Sequence, residues 1–119
     1  MTQVKRAERI GTLIQRELSD ILSTKIKDPR LALVTITDVR LTNDLKSARI
    51  YYSVLEGDQR KQSVMDGFQS ATGYLKRELG DRLDLRYTPD LSFVYDESFD
   101  RAASLNKVFE AIHNEDSNE

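Results

Sequence analysis

Apolar residues recur along the first quarter of the chain at the spacing of an α-helix. Between residues 4 and 26 they lie three and four positions apart, the pattern of a helix with one buried side. At about 1.5 Å per residue this helix would be roughly 33 Å long. Its opposite side carries a basic row, which is either a solvated surface or a surface that contacts phosphate groups. The apolar stripe comprises Ile10, Leu13, Ile14, Leu18, Ile21 and Leu22, and the basic row comprises Lys5, Arg9 and Arg16.

A β-rich segment follows, because Pro29 cannot continue the helix and disfavours helical geometry in the residue before it. The apolar residues of segment 33–41 change parity half-way along it. One extra residue near Thr37 and Asp38 would turn both halves toward the core, so the pattern predicts a β-bulge there. A strand buried on both faces at one end would explain the same pattern. The two apolar pairs are Val34 with Ile36 and Val39 with Leu41.

Segment 47–54 alternates cleanly between apolar and polar residues, which predicts an antiparallel hairpin with segment 33–41. Residues 91–95 form a third predicted strand, with Leu91 and Phe93 inward. Ser98 is a favourable N-cap for a last helix that would carry Leu105, Val108, Phe109 and Ile112. The predicted fold class is therefore α+β, with two layers: a three-stranded sheet with helices on one face, in the order α-β-β-α-β-α.

The central segment 61–79 has helical periodicity but contains two glycines. Gly67 and Gly73 each cost about 1 kcal/mol relative to alanine in a helix interior. A bend at Ala71-Thr72-Gly73 would account for this pattern, and so would a straight core helix in which the glycines allow close packing. Gly80 is a plausible C-terminal cap, with an irregular segment from residue 81 to residue 89 after it.

Length and composition indicate one domain, residues 1–113, followed by a disordered acidic tail, residues 114–119. The net charge of −2 argues against a uniformly basic nucleic-acid binder, but residues 1–54 hold 10 Lys and Arg against 6 Asp and Glu. Such asymmetry permits a positive face. We expect a cytoplasmic protein, because there is no signal-peptide pattern, no apolar stretch long enough to cross a membrane, and no cysteine.

Nothing in the sequence nominates a catalytic or metal site. His113 is the single histidine and stands at the edge of the tail. No glycine-rich phosphate loop is present, and no acidic pair is flanked by a pattern that would tune a carboxylate. We therefore expect no enzyme, no cofactor and no small-molecule substrate.

A binding protein has more support. Lys and Arg side chains that contact phosphates supply affinity without sequence readout, and a broken helix would add free backbone amides. The competing interpretation is a protein-interaction module that uses the open sheet face around Tyr51 and Val94. The candidate nucleic-acid contacts are Lys5, Arg9, Arg16, Lys27, Arg30, Arg49, Ala71, Gly73, Lys76, Arg77 and Arg86.

A set of short motifs, in order and over residues 4–112, resembles the ribosome-binding factor A family. No single motif decides the matter, but the set is specific. The motifs are Arg9-Ile10 through Glu17-Leu18, Ile26-Lys27-Asp28-Pro29-Arg30-Leu31, Val34-Thr35-Ile36-Thr37-Asp38-Val39, Asp44-Leu45, Ala48-Arg49-Ile50-Tyr51, Ala71-Thr72-Gly73-Tyr74-Leu75-Lys76, Leu85-Arg86, Pro89-Asp90-Leu91-Ser92-Phe93 and Asp96-Glu97-Ser98.

The resemblance implies a type II KH-like fold in which an Ala-x-Gly kink, here Ala71-Thr72-Gly73, replaces the Gly-x-x-Gly loop of RNA-binding KH domains. It also implies a monomer without catalysis of its own that binds the immature 30S subunit and its 16S rRNA. Late maturation, including processing of the rRNA 5′ end, and growth in the cold are the implied roles. Two departures from the family pattern are Ala102-Ala103, where relatives often have a glycine, and the short acidic tail.

Overall fold

The computed structural model describes residues 3–55 and 57–97, with the side chains of residues 3, 4, 57 and 58 left out. The predicted last helix and tail, residues 98–119, lie outside this part of the chain. The predicted α+β order is confirmed up to the third strand. The elements are α1 (Gln3–Thr24), a 3-10 turn (Pro29–Leu31), β1 (Val34–Leu41), β2 (Ser47–Val54), α2 (Gly57–Leu83) and β3 (Asp90–Tyr95).

The three strands form one mixed sheet in the order β1-β2-β3. Strand β2 pairs antiparallel with β1, as predicted, and parallel with β3. The register between β1 and β2 shifts between Ile36 and Asp38, which confirms the predicted bulge. Because of this shift Ile36 and Val39 are both buried in the core, although they differ in parity.

One hydrophobic core fills the space between the helices and the inner face of the sheet. Phe68 of α2 stacks on Phe93 of β3 with ring centroids 4.1 Å apart, and its ring also meets Tyr52 of β2 at 4.9 Å. Burial raises the pKa of the Tyr52 hydroxyl. Three side chains of the apolar stripe of α1 are fully buried in this core: Ile14, Leu18 and Ile21.

Helix α2 differs from the prediction in two respects. It is one uninterrupted α-helix, so Ala71-Thr72-Gly73 does not divide it into two helices, and the predicted release of backbone amides there is wrong. The Thr72 hydroxyl donates instead to the Phe68 carbonyl at 2.6 Å, a back-bond that accommodates the threonine within the helix. The helix also continues past Gly80 to Leu83, so the predicted cap and the irregular segment from residue 81 are wrong as well.

Ion pairs in the last turn of α2 explain why the helix extends beyond Gly80. Arg82 donates to Asp20 at 2.6 Å and to Glu17 at 3.1 Å, both on α1, and to Glu78 one turn earlier at 3.4 Å. The pKa of the Arg82 guanidinium is raised, and the largest causes are the hydrogen bonds that Arg82 donates to the carboxylates of Asp20 and Glu17. These bonds hold the C-terminal turn of α2 against the middle of α1.

Candidate nucleic-acid interface

The segment after α1 and the middle of α2 form a shallow groove of about 320 Å³, which we call the α1–α2 groove. The segment after α1 supplies one wall, and one exposed turn of α2 supplies the other. The groove brings together residues more than 40 positions apart in sequence. Its lining residues are Lys25, Ile26, Lys27, Asp28, Ser70, Ala71 and Tyr74.

The two glycines of α2 have different surroundings. A Cβ at Gly67 would lie 3.0 Å from Leu31 Cδ2 and 3.2 Å from Arg30 Cβ, so this glycine permits close packing against the 3-10 turn. A Cβ at Gly73 would meet no atom within 4 Å, and the position is exposed. Close packing therefore explains Gly67. It does not explain Gly73, which lowers the stability of the helix without allowing any closer contact within the described residues.

Positive charge predominates around this surface. Lys25, Lys27 and Arg77 are exposed, and no carboxylate among the described side chains, residues 5–55 and 59–97, forms an ion pair with them. Arg77 lies one turn after Gly73 and so shares its side of α2. The carboxylate of Asp28 is already engaged, because Arg30 donates to both of its oxygens. Those hydrogen bonds, with the Arg30 backbone amide, lower the pKa of Asp28.

Two predicted contact residues are occupied within the fold. The Arg30 guanidinium donates to Asp28 Oδ2 at 2.7 Å, and its Cβ packs near Gly67. Lys76 Nζ donates to Asp90 Oδ1 at 2.7 Å, in an ion pair that is partly exposed to solvent. Neither side chain is available to a phosphate group without giving up a charged partner.

The remaining predicted contacts lie elsewhere. The basic row of α1 points to solvent, and Arg16 is 73% exposed with only a 3.7 Å approach to Glu17. Arg49 lies on the outer face of the sheet, where it donates to the Tyr51 hydroxyl at 3.4 Å. The exposed Arg86 lies in the α2–β3 loop with its guanidinium 5.7 Å from the Tyr87 ring centroid. The structure thus brings Lys27 and Ala71 together in the α1–α2 groove, with Gly73 and Arg77 on an adjoining exposed side of α2. Arg49, Arg86 and the α1 row lie outside this groove.

Sequence reasoning missed three residues of this surface: Lys25, Ser70 and Tyr74. Tyr74 is 38% exposed and lines the groove beside Ala71. The sequence did offer a signal for Tyr74, because it is an aromatic residue of α2 that lies outside the stripe of buried apolar residues. An exposed aromatic ring beside cations is a stacking surface for an unpaired base.

The family model of ribosome-binding factor A matches residues 6–109 of the chain. The chain belongs to the ribosome-binding factor A family. Ribosome-binding factor A of Staphylococcus saprophyticus is 43% identical over 111 residues, which cover 93% of this chain and 97% of that relative.

Solved structures of the family support the fold. The crystal structure of ribosome-binding factor A from Thermus thermophilus superposes with a TM-score of 0.67 at 24% identity, covering 75% of this chain and 94% of that one. A homology model of the Thermus thermophilus protein, fitted into the cryo-EM map of its 30S complex, gives 0.63 at 24% identity over 74% and 92% of the two chains. The fold is therefore the KH-like fold of this family.

The described residues contain neither a metal-binding cluster nor a membrane-spanning helix. In residues 3–55 and 57–97 no three His, Cys, Asp or Glu side chains are grouped so that they could hold a metal ion. Within the same ranges, neither helix has the length and apolar character that a membrane-spanning helix needs.

Proposed function

We propose that this protein is an assembly factor that binds the immature 30S ribosomal subunit and contacts its 16S rRNA through the α1–α2 groove and the adjoining Gly73 side of α2. Membership of the family supports the partner, since the Thermus thermophilus relative was fitted into a 30S complex. The observation that carries the proposed surface is Gly73: an exposed, uncrowded glycine lies one helical turn from Arg77, a cation with no ion-pair partner among the described side chains.

The proposed contact is made by charge and shape. Phosphate contacts from Lys25, Lys27 and Arg77 supply salt-dependent affinity, and the missing side chain at Gly73 lets the RNA backbone approach the helix closely. Because the helix ladder is intact, the contact relies on side-chain cations and close approach, with no contribution from released amides. A net charge of −2 confines the attraction to this local surface and disfavours indiscriminate RNA binding.

The more specific roles that we propose follow from the resemblance to the family. The protein acts in late maturation of the subunit, including processing of the rRNA 5′ end, and supports growth in the cold. It works as a cytoplasmic monomer without catalysis, cofactor, membrane contact or small-molecule substrate. Binding to the rRNA, with processing left to other proteins, is the mechanism that this surface favours.

Charge reversal at two positions tests the proposed surface. Arg77→Glu places a carboxylate beside Gly73 and should weaken cosedimentation with immature 30S subunits. Arg49→Glu is the matched control, because it reverses the same charge on the opposite layer. Its new carboxylate would face Arg40, the cross-strand neighbour of Arg49, so the sheet should stay folded. Thermal unfolding of both variants should remain close to that of the unmodified protein.

The second candidate, protein binding by the outer sheet face, has one observation in its favour. A depression of about 470 Å³ lies there, lined by mixed charges and one aromatic ring: Asp38, Arg40, Arg49, Tyr51 and Asp96. Mixed charge suits a protein partner better than RNA. If Arg49→Glu abolished cosedimentation and Arg77→Glu did not, the sheet face would be the docking surface. Salt separates the two further, since RNA affinity falls steeply with ionic strength.

A further inference from the structure

A second, larger groove lies at the other end of α1. It has a volume of about 710 Å³ and is bounded by the first half of α1, the β1–β2 turn and the α2–β3 loop. We call it the turn groove. Helices α1 and α2 run in opposite directions, with Arg82 paired to the middle of α1 and residues 70–74 beside its end. The turn groove is therefore separated from the α1–α2 groove by most of the length of α1.

The interior of the turn groove is aliphatic. Ile10, Leu41, Leu45 and Leu85 line it and are each partly exposed. Tyr87 lies on the lining with 76% of its surface exposed, which is more than any other large apolar side chain of the described residues. Partly exposed aliphatic side chains around a concave surface are the usual lining of a site that receives an apolar group.

Three cations surround this interior. Arg6, Lys46 and Arg86 are exposed, and within the described side chains, residues 5–55 and 59–97, no carboxylate forms an ion pair with them. The two acidic residues of the lining both have donors of their own. Asp44 accepts from the Thr42 hydroxyl at 2.6 Å and from the Lys46 amide at 3.0 Å, and these bonds lower the pKa of its carboxyl group.

Asp90, the other acidic residue of the lining, accepts from Lys76 at 2.7 Å. Lys76 offsets the charge of Asp90, so three cations stand against the single carboxylate of Asp44, whose pKa the nearby Lys46 charge also lowers. The groove therefore carries an excess of positive charge around an aliphatic interior. A ligand that matches both properties carries negative charge on its flanks and an apolar group at its centre.

The backbone of the β1–β2 turn places one leucine side chain on the lining of the groove. Leu45 has φ of +62°, a left-handed conformation that asparagine or glycine adopts more readily than leucine. The leucine side chain is nevertheless placed on the lining of the groove, only partly buried.

We infer that the turn groove binds an acidic protein segment with a central apolar anchor, a second binding function beside the proposed RNA contact. The anchor enters the aliphatic interior, and acidic residues on either side meet Arg6, Lys46 and Arg86. RNA is the weaker match, because the interior is formed by four aliphatic side chains and Tyr87 is the single aromatic residue among those that line the groove.

The test uses the full chain and three fluorescein-labelled probe peptides. The first has the sequence Asp-Glu-Asp-Leu-Phe-Asp-Glu-Glu, the second has lysine at every acidic position, and the third has alanine in place of Leu-Phe. Fluorescence anisotropy at low salt should show binding of the first peptide only. A labelled single-stranded oligouridylate of eight nucleotides is the nucleic-acid competitor.

Two variants locate the binding. Lys46→Glu should weaken the first peptide about tenfold, since reversing one charge near two acidic flanks costs roughly that much in a solvated site. Leu45→Asn removes the aliphatic wall and relieves the left-handed leucine. It should therefore weaken the peptide several-fold while thermal stability is kept or raised, a combination that a purely structural role of Leu45 would not produce.

Controls separate this inference from the proposed RNA contact. Lys27→Glu, in the α1–α2 groove, should leave peptide binding unchanged, and Lys46→Glu should leave 30S cosedimentation unchanged. Three results would each overturn the inference: equal binding of the acidic and lysine peptides, unchanged peptide affinity of Lys46→Glu, or displacement of the peptide by oligouridylate in a Lys46-dependent manner. The last result would identify the groove as a nucleic-acid site.

Discussion

Replacing Gly73 by alanine separates the cost of this glycine to the fold from its value to binding. The position lies within a 27-residue helix, has ordinary helical backbone, and leaves open space for a Cβ. An alanine there should raise the free energy of unfolding by about 0.5 to 1 kcal/mol, because glycine loses more backbone entropy in a helix. For a domain of this size that gain corresponds to an unfolding midpoint up to about 4 °C higher.

Gly67→Ala is the matched control in the same helix. It gains the same helix propensity, but its Cβ would stand 3.0 Å from Leu31 Cδ2 and 3.1 Å from Leu31 Cγ. Overpacking of this kind costs about 1 to 3 kcal/mol. The net expectation is a protein less stable by up to about 2 kcal/mol, so the two alanine variants should move stability in opposite directions.

Thermal and urea unfolding followed by far-UV circular dichroism measures both variants, since the chain has no tryptophan to serve as a fluorescence probe. Cosedimentation with immature 30S subunits then measures binding. Gly73→Ala should bind about tenfold more weakly, equivalent to roughly 1.4 kcal/mol, because its methyl group would separate the helix from the RNA backbone. Gly67→Ala, measured well below its unfolding midpoint, should bind normally.

The decisive signature of Gly73→Ala is therefore higher stability with weaker binding. If this variant bound 30S subunits as tightly as the unmodified protein, close approach of RNA at Gly73 would be refuted. If it were destabilised, the open space at this position would itself be wrong.

Three further predictions test the packing and the ion pairs. Arg82→Gln should lower the unfolding midpoint clearly more than Arg16→Gln, measured by circular dichroism, because only Arg82 connects carboxylates of both helices. Gly11→Ala should destabilise by roughly 1 kcal/mol in urea unfolding, since its Cβ would lie 3.1 Å from the backbone carbonyl oxygen of Val39. The lowered pKa of Asp28 means that its stabilising contribution is present above the ordinary aspartate pKa and is lost as pH falls through the folded value. A pH titration of the unfolding midpoint should accordingly show a smaller loss in acid for Asp28→Asn.

Local patterns determined most of the elements. The three- and four-residue spacing of α1 identified its buried side, and the change of parity along β1 predicted the bulge that the register shift confirms. Both features depend on which side of one element each residue occupies, and the sequence alone specifies that. The end of α2 depends on more: Gly80 resembles a cap locally, but Arg82 binds carboxylates of α1 about 60 positions away and the helix continues.

The distinction between the two central glycines is likewise a property of the tertiary structure. In sequence both interrupt a helical stripe in the same way, yet one faces Leu31 and the other faces solvent. The helix is not divided at Gly73, because a helix held along its buried side tolerates a single exposed glycine without losing its hydrogen-bond ladder.

The sequence predicted which cations lie on the surface, but not which of them are engaged in ion pairs within the fold. The sequence by itself determined where the cations are and that the N-terminal half of the chain is basic. Only the tertiary structure decided that Lys76 is engaged by Asp90 and Arg30 by Asp28, whereas Lys27 and Arg77 are unpaired within the described residues. The physical reason is the short range of these interactions in water: a charge is neutralised by the groups within a few ångströms, and folding chooses those neighbours without regard to their separation in the chain.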